Sequence, residues 1–251
     1  MTVIACEDLS LSYGEVLAVD GVTFDVDAGE WVSIVGPNGA GKTSLLNLIN
    51  GFNEPDSGRV TMDGTDVSLF PPWKRARLGL ARTFQQGELF EHENAIENLL
   101  TVRGIQNAPN VLESLLWFGP GRRTEVENTR SVEAVLDYLE LWEYRHQPVG
   151  ALPLGIQKRI SLGRALTTDP DILLLDEIMS GLTYDEKYDM VRFLMDLWEQ
   201  ENITILMIEH DLTVVTNVSE RMLVLNEGQL IADGPPDAVV DDPHVKEVYT
   251  G

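Results

Sequence analysis

Apolar residues follow two different periods along this chain. Near the N-terminus they alternate with polar ones, through Val3-Ile4-Ala5-Cys6-Glu7-Asp8-Leu9-Ser10-Leu11-Ser12-Tyr13 and again over 18–26. A period of two predicts strands with one face buried, and Gly14 and Gly21 stand near the turns. Residues 58–64 read as a further short strand, and Pro71-Pro72 opens a helix, because proline suits a first turn. Residues 81–85 return to strand. Elsewhere the apolar residues are continuous: 31–35 and 203–210 read as buried strands, and 171–177, apolar and then acidic, as a central parallel strand buried on both faces. Helices are predicted over 43–49 and 184–201. A hairpin follows across Asn226-Glu227-Gly228, and short helices around Asp237 and His244 close the chain.

The middle of the chain differs. Over 88–165 β-branched runs are few, and Val126, Val132, Val135, Leu136 and Leu139 fall largely on one helical face. Residues 95–102 form a second helix candidate. The pattern predicts an inserted helical subdomain over 88–165 that divides an α/β core into 1–87 and 166–251, the core carrying an N-terminal β subdomain. Between the helices, Leu115-Leu116-Trp117-Phe118-Gly119-Pro120-Gly121 is an apolar patch that suits local packing or a docking surface.

Composition narrows the setting. No apolar run approaches the ~20 residues that span a bilayer, and no basic start followed by a long apolar stretch marks a secretory signal. Cys6 is the only cysteine, so an intrachain disulfide is impossible. A cytosolic protein, or one on the cytosolic face of a membrane, is the expectation. The 41 acidic residues outweigh 18 basic ones, for a net charge of −23, which disfavours nucleic acid as a partner. Lysine is scarce: Lys42, Lys74, Lys158, Lys187 and Lys246. Such a surface fits an ordinary acidic protein, and it fits adaptation to molar salt. There the Debye length falls to about 3 Å and acidic self-repulsion is screened.

The chemistry begins at Gly36-Pro37-Asn38-Gly39-Ala40-Gly41-Lys42-Thr43, which fits G-x-x-x-x-G-K-[ST], a loop that holds nucleoside triphosphate phosphates. A buried strand enters it and a helix leaves it. Glycines allow close backbone wrapping, and the helix N-terminus adds a positive dipole end. Lys42 is expected to reach the β- and γ-phosphates, and Thr43 to ligate Mg²⁺. Asp176 and Glu177 end a buried strand at the sheet edge where α/β ligands bind. The aspartate can hold Mg²⁺ through water, and the glutamate can activate the water that attacks the γ-phosphate. His210 follows the neighbouring strand and can donate to developing charge. Gln85 suits Mg²⁺ or water as a ligand, or a polar boundary. Tyr13 suits stacking on a nucleobase, or a half-buried strand position.

Taken in order, these residues resemble the nucleotide-binding domain of ABC transporters over essentially the whole chain. Tyr13 is similar to the A-loop aromatic, Gly36 to Thr43 to Walker A with Ser44 following, Gln85 to the Q-loop glutamine, and Ile172 to Asp176 to Walker B. Glu177 resembles the catalytic glutamate and His210 the switch histidine. Residues 77–85, 208–212 and 231–236 are similar to ATPase subunits of branched-chain amino-acid importers. The family's L-S-G-G-Q loop corresponds to Leu152-Pro153-Leu154-Gly155-Ile156, with Gly155 and the helix over 156–166 retained. Proline stands for serine at 153, Ile178 for the proline after the glutamate, and Thr183 for the usual D-loop aspartate or asparagine. The resemblance implies a P-loop NTPase core of ABC type with an antiparallel β subdomain and a helical insert. It implies ATP and Mg²⁺ as ligands, with Thr43, Gln85 and Asp176 at the metal. A second such subunit, identical or not, would complete each ATP site with its Gly155 loop. Membrane permeases and, indirectly, an extracytoplasmic solute-binding protein would be further partners, at the cytoplasmic membrane face. Two alternatives remain at this point: a low-turnover partner of a more active sibling, and a soluble ABC ATPase outside transport.

Overall fold

The computed structural model of the chain describes residues 1–83, 89–106 and 120–250. They form two compact units. The first joins Met1–Arg82, Asp171–Ser180 and Leu194–Gly251; the second joins Thr83–Pro170 and Gly181–Phe193. The second unit thus takes in Gly181–Phe193, a stretch that the sequence pattern assigns to the core range 166–251.

Two sheets build the first unit. One is antiparallel, in the order β2-β1-β4-β5, from β1 (Thr2–Tyr13), β2 (Val16–Asp27), β4 (Ser57–Met62) and the short β5 (Thr65–Asp66). The β1–β2 hairpin closes at Tyr13↔Val16 across Gly14 and Glu15. Ile4, Cys6, Leu9 and Leu11 of β1 are buried, as the alternation predicts. The other sheet has the order β10-β9-β3-β8-β7-β6, from β3 (Trp31–Val35), β6 (Leu80–Arg82), β7 (Ile172–Asp176), β8 (Thr204–Ile208), β9 (Arg221–Asn226) and β10 (Gln229–Gly234). The β3, β7 and β8 residues are all buried, and only β10 pairs antiparallel. That is how continuous apolar runs behave when both faces are covered. Strand β6 ends at Arg82, three residues short of the predicted 81–85. Gln85 itself and the 115–119 part of the apolar patch lie outside the described residues.

Helix α1 (Lys42–Asn50) packs Leu45, Leu46, Leu48 and Ile49 into the core between the sheets. Its C-terminal end is closed by an unusual device. Arg75, from the short helix α2 (Pro72–Ala76), is fully buried. Its guanidinium donates to the carbonyls of Leu48 (2.6 Å), Ile49 (2.7 Å), Ser68 (3.0 Å) and Phe70 (3.0 Å). Two of these are terminal carbonyls of α1, which no helical amide can reach. Burial pulls the Arg75 guanidinium down to about 10, so it stays charged at neutral pH. A cation there complements the negative end of the α1 dipole, a contribution of up to about 2 kcal/mol.

The second unit is helical. It contains α3 (Ala95–Gln106), α4 (Pro120–Tyr138), α5 (Leu154–Leu166) and the first half of α6 (Tyr184–Glu201). Asn94 and Glu97 cap α3 reciprocally: each side chain accepts the other's amide at 3.0 Å. Leu99, Val132, Leu136, Leu139 and Ile160 form its buried interior. Helix α5 starts at Leu154, two residues earlier than the predicted 156, with Pro153 at the N-cap (φ −56°, ψ 152°). Proline needs no amide partner there, so it begins the helix and places Gly155 inside the first turn.

Candidate active site

The site starts where β3 ends. Gly36 turns the chain with φ 149°, and a Cβ there would lie 2.1 Å from the Leu225 carbonyl oxygen. Gly41 has φ 98°, and its Cβ would meet the Ala18 carbonyl oxygen at 2.2 Å. No other residue fits either position without moving backbone. The turn Glu227-Gly228 braces the loop: the Gly228 amide donates to the Ala40 carbonyl (3.0 Å), and the Asp20 amide to that of Gly228 (2.9 Å). Ala40 is buried, whereas Asn38 and Gly39 face outward and Pro37 is half-buried. Around Gly39 there is open space.

Helix α1 leaves the loop at Lys42, and its N-cap, Gly41, has no side chain to cap the first turn. The amides of Lys42, Thr43 and Ser44 therefore have no acceptor within the helix. The Lys42 ammonium folds back and donates to the carbonyls of Gly36 (2.8 Å) and Pro37 (2.9 Å). Burial lowers its pKa, while the negative charges of Glu177 and Asp176 act the other way. Lys42 thus lies within electrostatic reach of both acids. At the far end of the chain, α7 (Pro243–Thr250) carries Tyr249, whose hydroxyl lies near Gly36. Burial raises the pKa of that hydroxyl.

Asp176 ends β7 and is 2% exposed. Its Oδ2 accepts from Arg82 Nη2 at 2.9 Å. Glu177 follows with φ 49°, a left-handed conformation uncommon for a non-glycine residue. Two contacts hold it there. Its amide donates to the Ile208 carbonyl (3.0 Å), and the buried Glu209 accepts the amide of Met179, two residues on, at 2.9 Å. Burial raises the Glu209 pKa. The turn re-aims the Glu177 carboxylate toward His210, whose Nε2 lies 2.5 Å from Oε1. His210 stands two residues beyond the end of β8, which leaves its ring on a loop and 40% exposed.

Of the expected residues, the structure brings together Lys42, Asp176, Glu177 and His210 beside the loop of Gly36 to Ser44. Tyr13 ends β1, half exposed, and its hydroxyl donates to Asn53 (3.2 Å). Gly155 belongs to the second unit. There the Glu186 carboxylate lies close to Gly155 and accepts from the Thr183 amide (2.8 Å) and the Thr183 hydroxyl (2.9 Å). These bonds pull the Glu186 pKa down. Sequence reasoning missed Arg82, Glu186, Glu209 and Tyr249. For Glu209 a signal existed, since it is a charged residue near the end of a strand read as buried.

These features fit a triphosphate. The loop offers open space at Gly39, uncapped helix amides and a lysine whose recorded partners are neutral carbonyls. They also fit a hard divalent cation, because the Thr43 hydroxyl and Asp176 carboxylate are oxygen donors. Among the described residues, no group of three or more His, Cys, Asp or Glu could hold a metal ion. A cation here would therefore draw most ligands from phosphate and water, as Mg²⁺ commonly does.

Residues 19–180 match the ABC transporter family. The chain belongs to that family. It binds and hydrolyses ATP as an ATP-binding cassette. Residues 229–251 additionally match the family described as branched-chain amino acid ATP-binding cassette transporter. The high-affinity branched-chain amino acid transport ATP-binding protein BraF of Pseudomonas aeruginosa is 37% identical over 243 residues, which is 97% of this chain and 95% of that protein. The probable branched-chain amino acid transport ATP-binding protein LivG of Methanocaldococcus jannaschii is 32% identical over 255 residues, covering 100% and 98%. Among solved structures, a nucleotide-free ATP-binding cassette from an ABC transporter superposes with a TM-score of 0.88 at 32% identity, each chain covered completely. An ADP conformation of an ATP-binding cassette gives 0.87 at 32% identity, covering 100% of this chain and 99% of that one. Among the described residues, no helix is long and apolar enough to cross a membrane.

Proposed function

We propose that this cassette is the motor subunit of an importer for branched-chain amino acids. The observation that carries the substrate class is the match over 229–251, a segment separate from the general cassette match. That segment ends in α7, whose Tyr249 lies near Gly36 of the phosphate loop. Near-full-length similarity to branched-chain transport ATPases supports the same reading. The chain would sit at the cytoplasmic membrane face, against permease subunits that an extracytoplasmic binding protein supplies.

In this reading the loop from Gly36 to Ser44 wraps the phosphates, and Lys42 exchanges its carbonyl partners for phosphate oxygens. Tyr13 stacks on the base. Thr43, Asp176 and Gln85 hold the Mg²⁺, which neutralises phosphate charge when bound. Glu177 accepts the proton of the attacking water, and His210 turns its N–H from Glu177 to the γ-phosphate oxygens. A second cassette, the same or a sibling, covers each ATP with its Gly155 amide and the N-terminus of α5. Pro153 supplies no hydroxyl there, so backbone donors carry that contact.

The test is transport. Proteoliposomes holding this chain with branched-chain amino-acid permease subunits should take up leucine, isoleucine or valine with ATP and a matching binding protein. Uptake of an unrelated solute, with none of these, would overturn the substrate assignment. The charge of −23 supports a high-salt setting. The melting temperature should rise with KCl toward molar concentrations; a maximum at low salt would refute that setting.

A further inference from the structure

Arg82 is a nearly buried cation beside the site, and the ATPase reading above gives it no role. Its side chain is 4% exposed and that of Asp176 3%. Parallel pairing of β6 with β7 sets Arg82 opposite Leu174, two residues before Asp176, so the long side chain reaches along the sheet to the carboxylate. Nη2 donates to Asp176 Oδ2 at 2.9 Å, while Nη1 donates to Asn47 Oδ1 on α1 at 2.7 Å. The guanidinium also lies 5.8 Å from the centre of the Phe52 ring. One planar fork therefore joins the ends of two strands to the helix that leaves the phosphate loop. A lysine cannot make that geometry, since its ammonium is a point charge without a fork. Arg82 is also the last residue of the first unit.

Charge gives this arrangement a consequence. Asp176 and Glu177 carry two negative charges beside Lys42, and Arg82 supplies a second positive one. Among these four groups two acids face two cations and their charges balance, with the buried Glu209 and the His210 ring beside Glu177. A triphosphate breaks that balance, and a divalent cation restores it. Without Arg82 the empty site would be net negative at low local dielectric, where an uncompensated charge attracts strongly.

We infer that Arg82 is a positioning residue for the divalent cation: it fixes the Asp176 carboxylate and keeps the empty site from binding the ion ahead of the nucleotide. The inference rests on the reading of Asp176 as the aspartate that holds Mg²⁺.

Mn²⁺ is the probe, titrated into the nucleotide-free protein and followed by electron paramagnetic resonance. The Mg²⁺ concentration that half-saturates ATP binding is measured in parallel. Arg82→Gln should bind Mn²⁺ about tenfold more tightly than the wild type and shift the Mg²⁺ requirement of ATP binding. Arg82→Lys keeps the charge but not the fork. It should restore the weak Mn²⁺ binding while leaving the Mg²⁺ requirement shifted. Wild-type values for both quantities in Arg82→Gln would overturn the inference. Should Arg82→Gln not fold, Asn47→Ala, which frees one arm of the fork, decides: a shifted Mg²⁺ requirement supports the role and an unchanged one overturns it. Asp176→Asn separates the two levels. If it alters the Mg²⁺ requirement while the Arg82 and Asn47 variants do not, only this inference fails. If it alters nothing, the reading of Asp176 fails and this inference with it.

Discussion

Glu177→Gln will bind ATP as the wild type does and lose at least about a hundredfold of its turnover. The substitution is nearly isosteric, so the left-handed turn at φ 49° and its brace from Glu209 to the Met179 amide should persist. A glutamine oxygen still accepts from His210 Nε2, which preserves the 2.5 Å contact. What disappears is the capacity to take a proton from water. A hundredfold loss corresponds to about 2.7 kcal/mol of barrier, within the range for one key catalytic group. Single-turnover hydrolysis of pre-bound ATP isolates that step from nucleotide exchange. Near-normal hydrolysis by the variant would remove Glu177 as the general base. A pair with a sibling cassette that keeps most of its turnover when this chain carries Glu177→Gln would instead favour a low-turnover partner of a more active sibling.

Lys42→Ala should lose ATP affinity by about tenfold to a hundredfold, equivalent to the loss of one or two charge-assisted hydrogen bonds. Lys42 is 5% exposed and bonded only to loop carbonyls in the hydrogen bonds recorded for it. Its depressed pKa reflects burial, and an arriving phosphate supplies the anion that burial withholds. The loop itself should survive, because the Gly228 brace to the Ala40 carbonyl does not involve the lysine side chain and water can take its place at the Gly36 and Pro37 carbonyls. Titration calorimetry checks the affinity and a thermal melt checks the fold. Unchanged ATP binding in a folded variant would contradict the assignment of the phosphate loop.

The parts legible in the sequence were those written in local chemistry. A glycine-lysine loop between a buried strand and a helix has few structural alternatives, and the apolar run within 171–177 forms a parallel strand because such runs need cover on both faces. The His210–Glu177 meeting was partly legible: both follow neighbouring strands, but only the turn at Glu177 shows where its carboxylate points. Arg82 and Asp176 lie 94 positions apart, and a contact of that span leaves no periodic trace. Arg75 was hidden for a different reason. An arginine after Pro-Pro-Trp-Lys reads as a solvated helix residue, and only the α1 carbonyls above it reveal a buried cap. Helix α5 begins two residues before 156 because a proline at the N-cap needs no amide partner, which the comparison with a serine motif does not reveal.

The most direct test of the whole account is the structure of Glu177→Gln crystallised with ATP and Mg²⁺. The account predicts the triphosphate against the amides of residues 39–44, Lys42 Nζ moved from the Gly36 and Pro37 carbonyls onto phosphate, and Mg²⁺ near Thr43 and Asp176. A nucleotide bound elsewhere, or a loop still closed by its own lysine at saturating ATP, would contradict it.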